Sequence, residues 1–123
     1  MPMRRVNVVL ESTGAVLARA EMADNPTTRM AGLLGRSGLE PGTGLILDPC
    51  RMIHTAFMRF SLDVVFIDRQ LHVTRVARDV RPFRLAWGGW AAHYTLELAA
   101  GALGTTPVGP GARLLFQPAD PDR

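Results

Sequence analysis

The sequence has no lysine: all 14 of its Lys and Arg positions are arginine. Without a lysine amine there is no Schiff base, which excludes lysine-bound pyridoxal phosphate and lysine aldolase chemistry, and a P-loop of the usual kind loses its phosphate-binding lysine. Cysteine is almost as scarce. A solitary Cys50 excludes an internal disulfide, a Cys-x-x-Cys redox pair and the cysteine-rich zinc and iron–sulfur frameworks. Long apolar runs are missing too. None approaches the ~20 residues of a membrane-spanning helix, and the run from Val6 to Leu10 stops at Glu11, too short for the apolar region of a signal peptide. These absences predict a soluble, cytoplasmic protein with a reduced thiol.

Motifs that carry their own mechanism are absent as well: there is no Gly-x-Ser-x-Gly, no His-Glu-x-x-His and no Gly-x-Gly-x-x-Gly between a strand and a helix. His54, His72 and His93 lie in separate segments, so the sequence predicts no metal site, no cofactor and no catalytic set.

What is present suits one globular domain. At 123 residues, 47% hydrophobic and 20% charged, the chain can bury a sizeable core without a disulfide or metal staple. That domain spans 1–123, with its core at about 6–116 and a frayed tail at 118–123. The isoelectric point of about 10.4 resembles a nucleic-acid signature. The net charge is only +3, however, and arginine holds its proton to very high pH. Arg75, Arg78, Arg81 and Arg84 recur every third residue, but an odd spacing alternates faces on a strand, and Pro82 ends any helix that could align them. The series reads as solvated charges, which argues against nucleic acid as a partner.

Apolar residues alternate at the strand period in Val6–Leu10 and Val16–Met22, with a turn at Ser12-Thr13-Gly14 between them, predicting a hairpin. Asn25-Pro26 followed by Met30, Leu33 and Leu34 predicts a capped helix near 26–35. Further strands are predicted at 45–47, 53–59, 62–67, 71–80, 94–98 and 113–117. Leu62–Ile67 is apolar on both faces apart from Asp63, the pattern of a strand covered on both sides. Asp68-Arg69-Gln70 reads as a hairpin turn, Pro82 to Trp90 as a long irregular loop, and Ala99–Leu103 as a short helical turn. The fold class that follows is mainly β: a β-sandwich or partly open barrel with one packed α-helix.

The densest set of reactive side chains runs from Cys50 to Asp63. His54 shares strand parity with Ala56, Met58 and Phe60, the position of a core histidine held by a backbone carbonyl or, alternatively, of a base. Cys50 and His54 are four apart, about 13 Å along an extended strand, too far for a thiolate–imidazole bond. Cys50 therefore reads as a small buried residue. Asp63 in an apolar strand must be paired if buried; Arg59 across Phe60-Ser61 offers an ion pair, or the two form an anion clamp. Trp87 and Trp90 near Arg84 could make a stacking platform, although packing onto the domain is the commoner arrangement.

Asn25 to Arg36, Gly42-Thr43-Gly44-Leu45, Leu62 to Asp68 and Leu96 to Gly101 together resemble, in order and spacing, the successive blocks of the domain of unknown function 192 family. The resemblance runs from about Val6 to Phe116. It implies a small β-rich domain, a barrel-like sandwich with a helix packed on it, and no established activity; much of the family looks exported. Relatives commonly carry a Trp-Met-Lys-Asn-Thr block followed by Pro-Leu-Asp. Here Leu62 and Asp63 carry over, whereas the polar block is replaced by His54-Thr55-Ala56-Phe57-Met58.

The expectation is a non-catalytic binding or accessory module for a small molecule or protein, with a ligand site formed by His54, Thr55, Met58, Arg59 and Asp63. The rival is a small hydrolase using His54 with Asp63 or Cys50.

Overall fold

The computed structural model of the chain describes residues 4–23, 39–56 and 58–119. Among them are nine strands: β1 (Arg5–Leu10), β2 (Val16–Ala23), β3 (Thr43–Leu47), β4 (Met52–His54), β5 (Leu62–Ile67), β6 (Val73–Val80), β7 (Leu85–Trp87), β8 (Tyr94–Ala99) and β9 (Leu114–Pro118). Seven form one sheet in the order β6-β5-β8-β3-β2-β1-β9, and β4 and β7 form a separate two-stranded ribbon. Only β2 and β3 run parallel; every other pair is antiparallel.

The large sheet curls into a half-barrel. Its edge strands approach each other near one end, where His72 bridges Arg113, Val73 N–H donates to Ala112 O and Leu114 N–H donates to Leu71 O. Alternation sorts the side chains into two cores. Inside the curl, Val8, Ala20, Ile46, Val65, Leu96 and Leu114 pack together. On the outer face a second cluster joins Leu47, Leu62, Val64, Phe66 and Val80 to Ile53 and Ala86 of the ribbon. Every residue of β5 is therefore buried, as its apolar run predicts.

The β1–β2 hairpin and the strands at β3, β5, β6, β8 and β9 match the sequence pattern within a few residues. The turn at 68–70 forms as well: Asp68 Oδ1 accepts from Gln70 N–H and His72 N–H, both at 2.9 Å. Three expectations need correction. The strand predicted over 53–59 is only Met52–His54, because the carbonyl of Thr55 bends the chain by accepting from Met58 N–H. The loop predicted at 82–90 contains β7. Residues 100–105 form successive hydrogen-bonded turns, including Ala102 N–H to Ala99 O and Gly104 N–H to Gly101 O, and not a helix.

The helix expected near 26–35 lies outside the described residues, and no helix occurs among those described. The tail at 120–123 also lies outside them, while β9 reaches Pro118. Among the described residues no helix is long and apolar enough to cross a membrane.

Candidate functional site

The β4–β7 ribbon is short, and its inward residues fix it to the domain. Met52 pairs with Trp87, Ile53 with Ala86 and His54 with Leu85. Strand alternation turns Ile53 and Ala86 into the outer-face core and leaves Met52, His54, Leu85 and Trp87 on the opposite face. One end is held where Gly88 N–H donates to Arg51 O at 2.7 Å. At that position a Cβ would overlap the buried Phe66 ring, so only glycine lets the ribbon lie this close to β5.

The other end is held by Thr55, which is 1% exposed. Its hydroxyl donates to Arg81 O at 2.6 Å and accepts from Arg84 N–H at 2.8 Å. Its main chain donates to Arg84 O at 2.9 Å and accepts from Phe83 N–H at 3.0 Å. One buried residue thus closes the turn at 81–84. In that turn Phe83 sits at φ +61°, a left-handed conformation that a bulky side chain rarely adopts. Such strain costs about 1–3 kcal/mol and persists where the surroundings over-determine it.

The outward face is apolar. Trp90 is 81% exposed, Leu85 72%, Phe83 65%, Met52 54% and Trp87 37%. Trp87 and Trp90 meet edge to face with ring centroids 5.0 Å apart. Arginines surround this surface: Arg75 Nη1 donates to Trp87 O at 3.2 Å, Arg51 Nε to Ala92 O at 3.1 Å and Arg84 Nη1 to Phe83 O at 3.3 Å, while Arg59 and Arg81 are exposed. Single exposed apolar residues are ordinary; a set gathered around one ribbon is the kind of surface that suits contact with a partner. Packing of the two indoles onto the domain, the commoner arrangement, does not describe Trp90.

The five residues singled out in the sequence divide between surface and support. His54 stands on the outward face and makes no hydrogen bond among the described residues, so it is not a core histidine. Arg59 is exposed at a bend. Thr55 and Met58 are buried, the second in the outer-face core. Asp63 is buried and fully engaged: Oδ1 accepts from Asp79 N–H at 2.9 Å, and Oδ2 from Gly101 N–H at 3.1 Å and Leu103 N–H at 3.4 Å. This carboxylate ties β5 to β6 and to the turn after β8. It forms no ion pair with Arg59.

The hydrolase constellation is not assembled. Cys50, half-buried, donates its thiol to Met52 O at 3.2 Å, Asp63 is sealed among backbone amides, and His54 faces solvent away from both. No group of three metal-ligating side chains occurs among the described residues. The arginine series does not align: Arg75 reaches the ribbon, whereas Arg78 reaches Gly104 O and Thr106 O.

Two features escaped the sequence pattern. The exposed Met52, Phe83 and Leu85 were one. Glu97 is the other: Thr95 and Glu97 alternate with Leu96 and Leu98, the pattern of a solvated face, yet Glu97 pairs with Leu45 and Val64 on the covered outer face. No hydrogen bond or ion pair reaches its carboxyl among the described residues, and burial pushes it up to about 7.

Comparison with known proteins places these features in a family. The model of the domain of unknown function 192, described as "Uncharacterized ACR", matches residues 8–116. A crystal structure from Sinorhizobium meliloti 1021, described as a "putative transcription regulator", superimposes with a TM-score of 0.79 at 25% identity, over 94% of this chain and 96% of that one. A protein of unknown function from Novosphingobium aromaticivorans superimposes with a TM-score of 0.77 at 21% identity, over 90% of this chain and 83% of that one, a likeness of fold alone. The search of curated proteins gave no match.

Proposed function

The chain belongs to the domain of unknown function 192 family, and from that premise we propose that it is a non-catalytic binding module whose partner is taken up by the outer face of the β4–β7 ribbon. One observation carries the reading. Five large apolar side chains, Met52, Phe83, Leu85, Trp87 and Trp90, stand in water around a ribbon that Thr55 and Gly88 hold rigid. Burying each on binding would be favourable by up to about 1.5–3 kcal/mol before ordering costs. His54 and Arg59 supply polar contacts beside this surface, and Met58 and Thr55 support it from beneath, whereas Asp63 lies on the other face of β5 and ties the sheet together. The partner therefore presents apolar groups together with negative charge.

The relative described as a regulator of transcription favours a second reading, in which the partner is nucleic acid and bases stack on Trp87 and Trp90 beside Arg75.

Panning a random-peptide display library on the purified protein tests the first reading. The expected outcome is a set of acidic, aromatic or aliphatic peptides that shift the tryptophan emission and fail to bind a folded Leu85→Glu variant. Peptides indifferent to that substitution would remove the ribbon as the binding surface.

A further inference from the structure

Resting on the reading of the ribbon as a binding surface, we infer that its partner is the surface of an anionic lipid bilayer, entered by the ribbon's apolar side chains while the surrounding arginines meet lipid phosphates.

The exposures describe a convex surface. A side chain that keeps two-thirds or more of its area in water, as Leu85 and Trp90 do, stands clear of its neighbours on most sides. A rigid protein would need a matching pocket for each, whereas a fluid headgroup layer accommodates projecting groups of any shape. Base stacking would use Trp87 and Trp90 but gives no role to Leu85 or Met52, which have no flat face. A bilayer interface uses all of them: indoles sit at headgroup depth, aliphatic and phenyl groups go deeper, and guanidinium groups stay at the phosphate level.

Charge points the same way. From Arg51 to Leu62 and from Val80 to Leu96 there is no Asp or Glu, while these two segments carry Arg51, Arg59, Arg81 and Arg84. Both ribbon strands lie within them. Arg75 joins the group from β6 through Trp87 O. Guanidinium groups bond phosphate oxygens in pairs, and an anionic surface draws such a cluster in. The acidic groups lie outside these two segments, so the segments that carry the ribbon are purely positive even though the net charge of the whole chain is only +3.

Phe83 adds an independent observation. The turn places a bulky residue in a left-handed conformation and fixes it there through Thr55, and the residue so held remains 65% exposed. Folding alone would favour glycine at that position. An exposed phenyl group maintained against strain fits a surface that inserts.

The experiment uses the intact chain, whose two tryptophans are both in the ribbon region, so its emission reports this surface and nothing else. Protein is titrated with large unilamellar vesicles of phosphatidylcholine alone and with about one-third phosphatidylglycerol, following tryptophan emission and co-sedimentation. Binding to the anionic vesicles with a blue shift, weaker by at least roughly tenfold on neutral vesicles or in ~1 M salt, is the expected result. Leu85→Glu and Trp90→Ala, each shown by thermal melting to be folded, should lower the partition by roughly tenfold or more. Arg81→Gln and Arg84→Gln should lower it roughly fivefold each. No binding to anionic vesicles, or binding that survives both Leu85→Glu and Trp90→Ala, would overturn the inference. If vesicles fail while oligodeoxythymidylate or a selected peptide binds through the ribbon, the lipid inference falls and the binding reading stands. If all three probes fail to engage the ribbon, both fall.

Discussion

Thr55 and Phe83 form one device: the carbonyl of the buried Thr55 accepts the Phe83 N–H at 3.0 Å, and its hydroxyl holds both sides of the turn that carries the exposed phenyl group. Removing the hydroxyl with Thr55→Val leaves Arg81 O and Arg84 N–H unpaired at a buried position. The expected cost is about 1–3 kcal/mol, a fall of roughly 3–10 °C in melting temperature for a domain of this size. Thr55→Ser keeps the hydroxyl and should lose distinctly less.

Phe83→Gly separates stability from binding. Glycine adopts φ +61° without a Cβ penalty, which offsets the packing lost with a phenyl group that is 65% exposed. Melting temperature should hold or rise slightly while partition onto anionic vesicles falls several-fold. A variant that melts much earlier would mean that the phenyl group packs on the domain.

Asp63→Asn tests the buried carboxylate. Its two oxygens accept three backbone N–H groups, and an amide would turn its own donors toward some of them. A loss of about 2–3 kcal/mol in denaturant unfolding is expected. If binding is unchanged in the fraction that remains folded, Asp63 is a support and not a ligand contact.

Glu97 gives the domain a pH dependence. Burial raises its folded-state value to about 7 from an ordinary 4.5, so the folded protein holds a proton that the unfolded chain has released between those values. Its stabilising contribution is fully present below pH 4.5 and is lost as pH rises through 7. The full difference is on the order of 3 kcal/mol. Thermal melts from pH 5 to pH 8 should show the wild type weakening toward the alkaline end, and Glu97→Gln should abolish most of that decline and melt higher at pH 8. A decline that persists in Glu97→Gln would assign the effect to another group.

The separation of His54 from Cys50 and Asp63 predicts no hydrolytic function from that set. Hydrolysis of a nitrophenyl ester by the wild type should match His54→Ala and Cys50→Ala. A rate that drops in either variant would revive the hydrolase.

The strands were legible wherever one face is buried and the other is wet, as in Val6–Leu10 and Val16–Ala23, because alternation records burial directly. Leu62–Ile67 was legible for the opposite reason, a continuous apolar run covered on both sides. The ribbon was not. Two strands of three residues carry too little pattern, and Leu85-Ala86-Trp87 points its larger side chains outward, inverting the rule by which strands are recognised. Glu97 misleads in the reverse sense, since a carboxylate at a strand's polar position reads as solvated when another element covers it. Of the residues chosen from the sequence, Asp63 was correctly seen to need partners, but these are backbone amides supplied by segments 16 to 40 residues away, which no spacing rule identifies.

The ribbon's apolar face stands open to water in the free protein, and iodide quenching of tryptophan emission reads that exposure. Both indoles lie at that face, and iodide is drawn to the neighbouring arginines. Red emission typical of wet indole, strong quenching, and loss of most of the quenchable signal in Trp90→Phe are expected. Blue emission that iodide leaves untouched would mean that the chain covers this face itself and that no open binding surface exists there.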